Sequence, residues 1–207
     1  MALKRGMLIV FEGNDRVGKS TQAKKLVEWF KTNGKLAQFV QFPDRSTPIG
    51  SLINQYLKGE QKMHDNSIHL LFTANRWEKF DEMNAALRSG QMVIVDRYSY
   101  SGVAYTVSKG IADYEWCRGP EKGLLKPDCV IFLSSDIKML QNRGDFGKEV
   151  YETSEFQSSV RDVYMKLMEP NWNVIDANRN IEEIHQDIVK VVEDKLPNLQ
   201  QEILKLW

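Results

Sequence analysis

Short, nearly continuous apolar runs recur along the chain and alternate with segments of helical period. The runs are Met7–Phe11, Met92–Val95, Val130–Leu133 and Trp172–Ile175, with a weaker fifth run at Ala37–Phe42. Runs of this length that are rich in Val, Ile and Phe are typical of strands buried on both faces of a parallel sheet. The pattern predicts a sheet of five such strands.

Between these runs, apolar residues return every three or four positions. One such stripe runs through Thr21–Thr32 and another through Ile181–Val192. Amphipathic helices of this kind cover the two faces of a parallel sheet when strands and helices alternate along the chain. We therefore predict a three-layer α/β fold, built as a single domain over residues 1–207.

Composition and charge narrow the class of protein. Among the 207 residues, 42% are hydrophobic, and the 28 basic side chains equal the 28 acidic ones. A net charge of zero gives no indication of a nucleic-acid partner. No run reaches the roughly 18 apolar residues of a membrane helix. The two cysteines lack metal-site spacing and are expected as free thiols, so we predict a cytoplasmic or nuclear protein.

Residues 13–20 carry the strongest chemical signal. They read GNDRVGKS, match G-x-x-x-x-G-K-[ST], follow an apolar run and open a helical segment. In such a phosphate-binding loop, backbone N–H groups converge on phosphate oxygens at the positive end of a helix. The alternative, a chance match in a glycine-containing loop, is disfavoured by the flanking strand and helix. We predict that ATP is bound by Gly13, Asn14, Asp15, Arg16, Val17, Gly18, Lys19, Ser20 and Thr21.

A hydroxyl and a carboxylate provide a predicted Mg²⁺ site. Within the loop, Lys19 is expected to reach the β- and γ-phosphates and Ser20 to hold Mg²⁺. Asp96 and Arg97 follow the buried run that ends at Val95. Because ligands bind beyond the carboxyl ends of strands in an open α/β sheet, Asp96 is expected to support the metal and Arg97 to face phosphates. The alternative is a surface ion pair at a strand end.

Three further segments indicate how an acceptor is held. Arg45 follows a strand and can grip an anion with a bidentate fork, although an exposed loop arginine is the simpler interpretation. Phe72 and Arg76 are four residues apart and share a helix face, so they can stack on a base and donate to it, or serve as a core aromatic beside a surface charge. Residues 142–153 contain glycines and charges and indicate either a lid or a plain surface loop.

Taken together and in this order, these segments closely resemble thymidylate kinases, the kinases of dTMP that have the P-loop NTPase fold. The resemblance covers essentially the whole chain and includes FEGNDRVGKST, FPDRSTPIG, LLFTANRWE, VDRYSYSGVAY and KPD. It is nearest to the eukaryotic and poxvirus branch, because Arg16 lies inside the phosphate-binding loop.

This resemblance implies transfer of the γ-phosphoryl group of ATP to dTMP, giving dTDP for dTTP synthesis, by a homodimer. From charge and hydropathy we expect neither a nucleic-acid nor a membrane partner. The implied catalytic residues are Lys19, Arg16, Arg97, Asp96 and Asp15. The implied acceptor-binding residues are Asp15, Phe42, Arg45, Phe72, Arg76, Arg97, Ser101, Tyr105, Tyr151 and Gln157. Arg143 is implied as a lid residue near the donor nucleotide.

The resemblance also implies individual roles in the acceptor pocket. Phe72 stacks on thymine, Arg76 bonds the carbonyl edge of the base, and Asp15 contacts the sugar 3′-hydroxyl. Tyr105 lies near the sugar 2′ position and disfavours ribonucleotides, although the family commonly has Phe at this position. Tyr151 and Gln157 close over the acceptor from the lid side.

Two other classes of protein share part of this pattern. A deoxynucleoside kinase has the same loop and a strand-end Asp-Arg pair, but it needs a general base and no grip on an acceptor phosphate. Arg45 therefore favours a monophosphate acceptor. A P-loop switch or ATPase would be indicated by a guanine-specifying N-K-x-D sequence, which the chain lacks, or by a water-positioning glutamine.

Overall fold

A parallel sheet forms the middle layer of the protein. The computed structural model describes residues 5–136, 151 and 153–207, and within them five strands pair in the order β2-β3-β1-β4-β5. They are β1 (Leu8–Gly13), β2 (Ala37–Gln41), β3 (Met92–Asp96), β4 (Cys129–Ser134) and β5 (Trp172–Asp176). Each predicted apolar run overlaps one of them to within one residue at its start and two at its end. Parallel pairing, with Phe11 opposite both Asp96 and Ile131, brings the carboxyl ends of the strands to one edge.

Helices connect the strands. They are α1 (Lys19–Thr32), α2 (Pro48–Leu57), α3 (Asp65–Trp77), α4 (Phe80–Arg88), α5 (Ser99–Ser108), α6 (Tyr114–Arg118), α7 (Ser154–Leu167) and α8 (Ile181–Lys195). Both predicted helical stripes are confirmed, in α1 and α8. Of the predicted lid over residues 142–153, only 151 and 153 belong to the described part of the chain, and Arg143 lies outside it. No helix in that described part is long and apolar enough to cross a membrane.

Two apolar cores lie on the two faces of the sheet. Side chains alternate along a strand, so Leu8 and Val10 of β1 face one core while Ile9 and Phe11 face the other. The first core is closed by α4, α5 and α7, and the second by α1 and α8. This arrangement confirms the predicted three-layer α/β fold. It also explains the continuous apolar runs, because both faces of each central strand are covered.

Polar side chains at the helix starts fix where several helices begin. Thr47 accepts a hydrogen bond from the backbone of Gly50, and Pro48 occupies the first position of α2. Asn180 and Thr153 cap α8 and α7 in the same way. A cap supplies an acceptor for an N–H group that has no partner within the helix.

Arg5 joins the start of the chain to its end and to the sheet. Its guanidinium donates to both carboxylate oxygens of Asp128 at 2.7 and 2.8 Å and to the carbonyls of Gly6, Gln200 and Glu202. Asp128 Oδ2 also accepts from the backbone N–H of Leu8, the first residue of β1. The Arg5 residue is only 4% exposed. Asp128, which lies just before β4, therefore holds two strand starts and the C-terminal segment together.

Replacing Arg5 with Ala should lower the free energy of unfolding by about 3 kcal/mol, because it leaves a largely buried carboxylate without its counter-charge. Urea unfolding followed by circular dichroism measures the change. Lys31→Ala is the matched control, since the ion pair of Lys31 with Glu28 is exposed and should contribute little. An Arg5→Ala effect no larger than that of the control would contradict a stabilising role for the pair.

Candidate active site

A cavity of about 400 Å³ opens at the carboxyl edge of the sheet. Most of the predicted site residues line it: Asp15, Arg16, Gly18, Lys19, Ser20, Thr21, Phe42, Arg45, Phe72, Arg76, Asp96, Arg97, Ser101, Tyr105 and Tyr151. Gly13, Asn14, Val17 and Gln157 do not line it. The cavity thus joins the phosphate-binding loop at one end to α3 and α5 at the other.

The phosphate-binding loop has the backbone that its glycines allow. Gly13 and Gly18 have φ angles of 136° and 103°, in the region that favours glycine. A Cβ atom on Gly13 would lie 2.4 Å from the carbonyl oxygen of Leu133, so a side chain there would collide with β4. The loop therefore turns tightly and delivers Lys19 and Ser20 as the first residues of α1, at the positive end of the helix.

Lys19 is buried at the centre of several charges. Its Nζ donates to the carbonyl of Asn14 at 2.6 Å. Burial, together with the nearby Arg97 charge, lowers the pKa of Lys19 from 10.5 to about 8, against the opposing charges of Asp15, Asp96 and Glu12. An added anion would favour the charged ammonium form of this buried group.

Arg97 and Asp15 form an ion pair across the cavity. Arg97 adopts a φ of 65°, which is unusual for a residue with a side chain. It pairs with Asp15 Oδ1, donates to Ser101 Oγ at 3.2 Å and lies 5.3 Å from the centre of the Tyr105 ring. Burial acts to raise the pKa of Asp15, but Arg97, Lys19 and hydrogen bonds outweigh it and hold that pKa below its usual value.

Gln157 of α7 ties the phosphate-binding loop to the segment that follows the predicted lid. Its side-chain carbonyl accepts from Asn14 Nδ2 at 2.9 Å and from the backbone N–H of Asp15 at 3.0 Å. Its amide donates to Asp15 Oδ2 at 2.6 Å and to the carbonyl of Tyr151 at 3.1 Å. Asp15 Oδ2 also accepts from the Tyr105 hydroxyl at 2.9 Å, so this hydroxyl helps to fix the carboxylate.

Ser20 and Asp96 are adjacent and suit a magnesium ion. The Ser20 hydroxyl donates to Asp96 Oδ2, while Asp96 Oδ1 is buried with no hydrogen-bonding partner among the described residues. A buried carboxylate oxygen normally has a partner. Hard oxygen donors of this kind, beside bound phosphates, are what Mg²⁺ takes as ligands. The residues present therefore fit the ion.

Glu12 is a residue of the candidate site that the sequence analysis missed. It is fully buried and accepts from the backbone N–H groups of Tyr98 and Ser101, at 3.0 and 3.1 Å, at the start of α5. Its other oxygen accepts from the hydroxyls of Ser101 and Tyr164. Burial raises the pKa of Glu12 against these hydrogen bonds and the Arg97 charge. Glu12 thereby fixes the backbone that follows Arg97, at the start of α5. In the sequence, Glu12 can be recognised as an acidic residue between the apolar run Met7–Phe11 and the phosphate-binding loop.

At the other end of the cavity, Phe72 and Arg76 lie on one face of α3, as their spacing predicts. Phe72 is half-buried and lines the cavity. Arg76 also lines it but is paired with Glu121, which the sequence analysis did not single out. His69, a helical turn before Thr73, is held between the Thr106 hydroxyl at 2.8 Å and the Cys117 carbonyl at 3.0 Å. This end is therefore a buried, largely prearranged pocket.

Arg45 lies at the open side of the cavity. It is exposed, and its guanidinium donates to Asn54 of α2 at 2.8 Å. Phe42, just before it, is buried against Tyr98 with ring centres 5.9 Å apart. Arg45 is thus within the cavity lining without being fixed as firmly as Arg97.

Comparison with known proteins agrees with this geometry. A family model described as thymidylate kinase matches residues 11–188. A thymidylate kinase of Danio rerio is 45% identical and covers 100% of both chains. One of Dictyostelium discoideum is 46% identical and covers 96% of this chain and 90% of that protein. The solved structure of thymidylate kinase from Candida albicans superimposes with a TM-score of 0.90 at 34% identity, covering 98% of this chain and 99% of that one.

The chain belongs to the thymidylate kinase family. Membership confirms the predicted resemblance, and the superposition confirms the P-loop NTPase fold with its five-stranded parallel sheet. It also decides between the classes left open by the sequence, because neither a deoxynucleoside kinase nor a P-loop switch is a thymidylate kinase. The roles of individual residues remain predictions that the geometry above supports to different degrees.

The lowered pKa of Lys19 predicts that ATP binding is coupled to proton uptake. In the free protein Lys19 is mostly neutral above about pH 8, whereas an ordinary lysine stays charged up to 10.5. Bound phosphates favour the ammonium form, so ATP should bind more weakly above pH 8 and take up a proton at pH 9. Calorimetry in two buffers of different ionisation enthalpy measures that proton.

Lys19→Arg is the control for this experiment, because a guanidinium stays charged throughout the range. Any ATP binding that it retains should show no proton uptake near pH 9. Wild-type binding at pH 9 without proton uptake would contradict the assigned environment of Lys19.

Proposed function

We propose that this protein transfers the γ-phosphoryl group of ATP to dTMP, giving dTDP and ADP for dTTP synthesis. One observation carries the proposal: a single cavity joins a phosphate-binding loop to a pocket walled by Phe72 and Arg76, with Arg97 between them. A donor phosphate and a pyrimidine nucleotide can therefore occupy the two ends with their phosphates meeting near Arg97.

At the donor end, the loop from Gly13 to Thr21 binds the ATP phosphates through its backbone N–H groups. Lys19 contacts the β- and γ-phosphates, and Arg16 reaches the transferred group. Ser20 and Asp96 would hold Mg²⁺, which would supply positive charge against the phosphates of ATP.

At the acceptor end, the half-buried ring of Phe72 stacks on thymine, and Arg76 donates to a carbonyl of the base. Arg97 and Arg45 hold the monophosphate. Asp15 contacts the sugar 3′-hydroxyl, a role supported by its fixed position between Tyr105 and Gln157. Tyr105, Ser101, Phe42 and Tyr151 shape the sugar and phosphate walls.

The obstacle to this reaction is repulsion between two polyanions. The attacking phosphate oxygen is already an anion at neutral pH, so no strong general base is needed. Lys19, Arg16, Arg97 and Arg45 neutralise charge and align the attacking oxygen with the γ-phosphorus. Positioning and electrostatics thus account for the catalytic requirements.

We also propose a cytoplasmic or nuclear homodimer, as the family resemblance implies. The exposed apolar side chains of Leu52, Leu70 and Trp77 on the adjacent helices α2 and α3 are consistent with helix packing between subunits. Sedimentation equilibrium at micromolar concentration should give twice the 24.0 kDa chain mass. A mass of one chain at that concentration would contradict the dimer.

A coupled assay of ADP release tests the proposed reaction. With Mg²⁺ and ATP, dTMP should be turned over strongly, dUMP more weakly and thymidine not at all, because Arg97 and Arg45 need a phosphate to hold. Turnover of thymidine but not dTMP would overturn the monophosphate assignment. Lys19→Ala should keep the fold and lose turnover by a factor on the order of 10²–10³, the effect of removing one charge-stabilising donor.

A further inference from the structure

Glu121 forms a buried hub beside the acceptor end of the cavity. It ends the short 3-10 turn Gly119–Glu121 and is 0% exposed. Its Oε1 accepts from Thr73 Oγ1 at 2.7 Å and from Arg76 Nη2, and its Oε2 accepts from Arg76 Nε and Ser99 Oγ, both at 2.9 Å. The carboxylate therefore connects α3, which carries Arg76, to the start of α5.

The guanidinium of Arg76 is confined by these contacts. A Cβ atom on Gly102 of α5 would lie 2.5 Å from Nη2 and 3.4 Å from Nη1, so the α5 backbone packs directly against the group. The fork with Glu121 uses Nε and Nη2. Nη2 also approaches Thr73 Oγ1 at 3.5 Å, so among the described residues the N–H donors on Nη1 are the ones left for a ligand in the cavity that Arg76 lines.

A buried ion pair of this kind is poorly explained by stability. Replacing such a pair by well-packed apolar residues is often neutral or stabilising, because both charges have lost their hydration. An arginine cannot become neutral, so it can be buried in a cavity wall only beside a counter-charge. Glu121 supplies that charge and, through two parallel hydrogen bonds, also fixes the orientation of the guanidinium.

We propose that Glu121 is the positioning residue that sets the base specificity of this enzyme, acting through Arg76. The inference rests on the proposed function. With Arg76 locked, its Nη1 group presents N–H donors to the base edge. A base with a carbonyl there, such as thymine or uracil, accepts the hydrogen bond. Cytosine has an amino group at that position and leaves a buried donor unpaired.

Steady-state kinetics of Glu121→Gln with dTMP, dUMP and dCMP tests this proposal. Glutamine keeps the shape but loses the charge and turns an amide N–H toward the guanidinium. We expect the KM for dTMP to rise roughly 10- to 100-fold, as for a lost hydrogen bond to a charged group. The KM for ATP should stay unchanged, and the preference for dTMP over dCMP should fall. Glu115→Gln, the same charge change at an exposed site, is the matched control and should alter none of these values.

A double-mutant cycle separates positioning from a general structural effect. In an Arg76→Ala background, Glu121→Gln should cause no further rise in the KM for dTMP, because the group that Glu121 orients is gone. A structural role would persist in that background. If Glu121→Gln does not fold, Glu121→Asp is the variant to measure. It keeps the negative charge on a side chain that is one methylene shorter, and it should raise the KM for dTMP by a smaller factor.

The outcomes distinguish this inference from the proposed function. A wild-type protein that does not phosphorylate dTMP would overturn the proposed function. A wild-type protein that phosphorylates dTMP, with folded Glu121 variants whose KM for dTMP and base preference are unchanged, would overturn the role of Glu121 and leave the proposed function standing. A rise in the KM for dTMP that persists without Arg76 would also overturn it.

Discussion

The site depends on holding several charges out of water at one edge of the sheet. The buried Lys19 and the largely buried Arg97 are the cations beside the phosphate-binding loop, and Asp15, Asp96 and Glu12 are the carboxylates around them. Buried charges are tolerated only when they are paired and hydrogen-bonded, so each of these groups constrains the others. The loop, the end of β3 and the start of α5 are thereby fixed before any nucleotide arrives. When phosphates bind, the cations exchange carboxylate partners for phosphate partners at a site that is already organised.

The layers of the fold could be predicted because burial on both faces leaves continuous apolar runs in the strands. The ends of the strands could not be predicted in this way. The run Met7–Phe11 stops where hydropathy stops, but β1 continues through Glu12 to Gly13, since backbone pairing with β4 does not depend on the side chain. The missed extension is also where the functional acid Glu12 lies. A residue that is polar and yet belongs to a buried strand escapes a hydrophobic pattern.

The candidate site also contains residues that the sequence could predict and residues that it could not. Lys19, Ser20 and Asp96 could be found because their spacing from a strand end is dictated by local backbone chemistry. Glu121 could not, because it is 45 residues from Arg76 and lies in a turn without periodicity. Only the packing of α3, α5 and the 3-10 turn brings the two side chains together. The role of Gln157 on the acceptor side stays a prediction, and its contacts with Asn14 and Asp15 could not be predicted, because they come from α7 lying against the loop.

A crystal structure of the protein with dTMP and a non-hydrolysable ATP analogue tests the central claim most directly. If the buried cations are held ready for phosphates, Arg97 will contact the acceptor phosphate instead of Asp15, while the Arg76–Glu121 pair and its place beside the base remain unchanged. A complex in which Arg97 keeps its ion pair with Asp15 and the acceptor phosphate binds elsewhere would contradict the account.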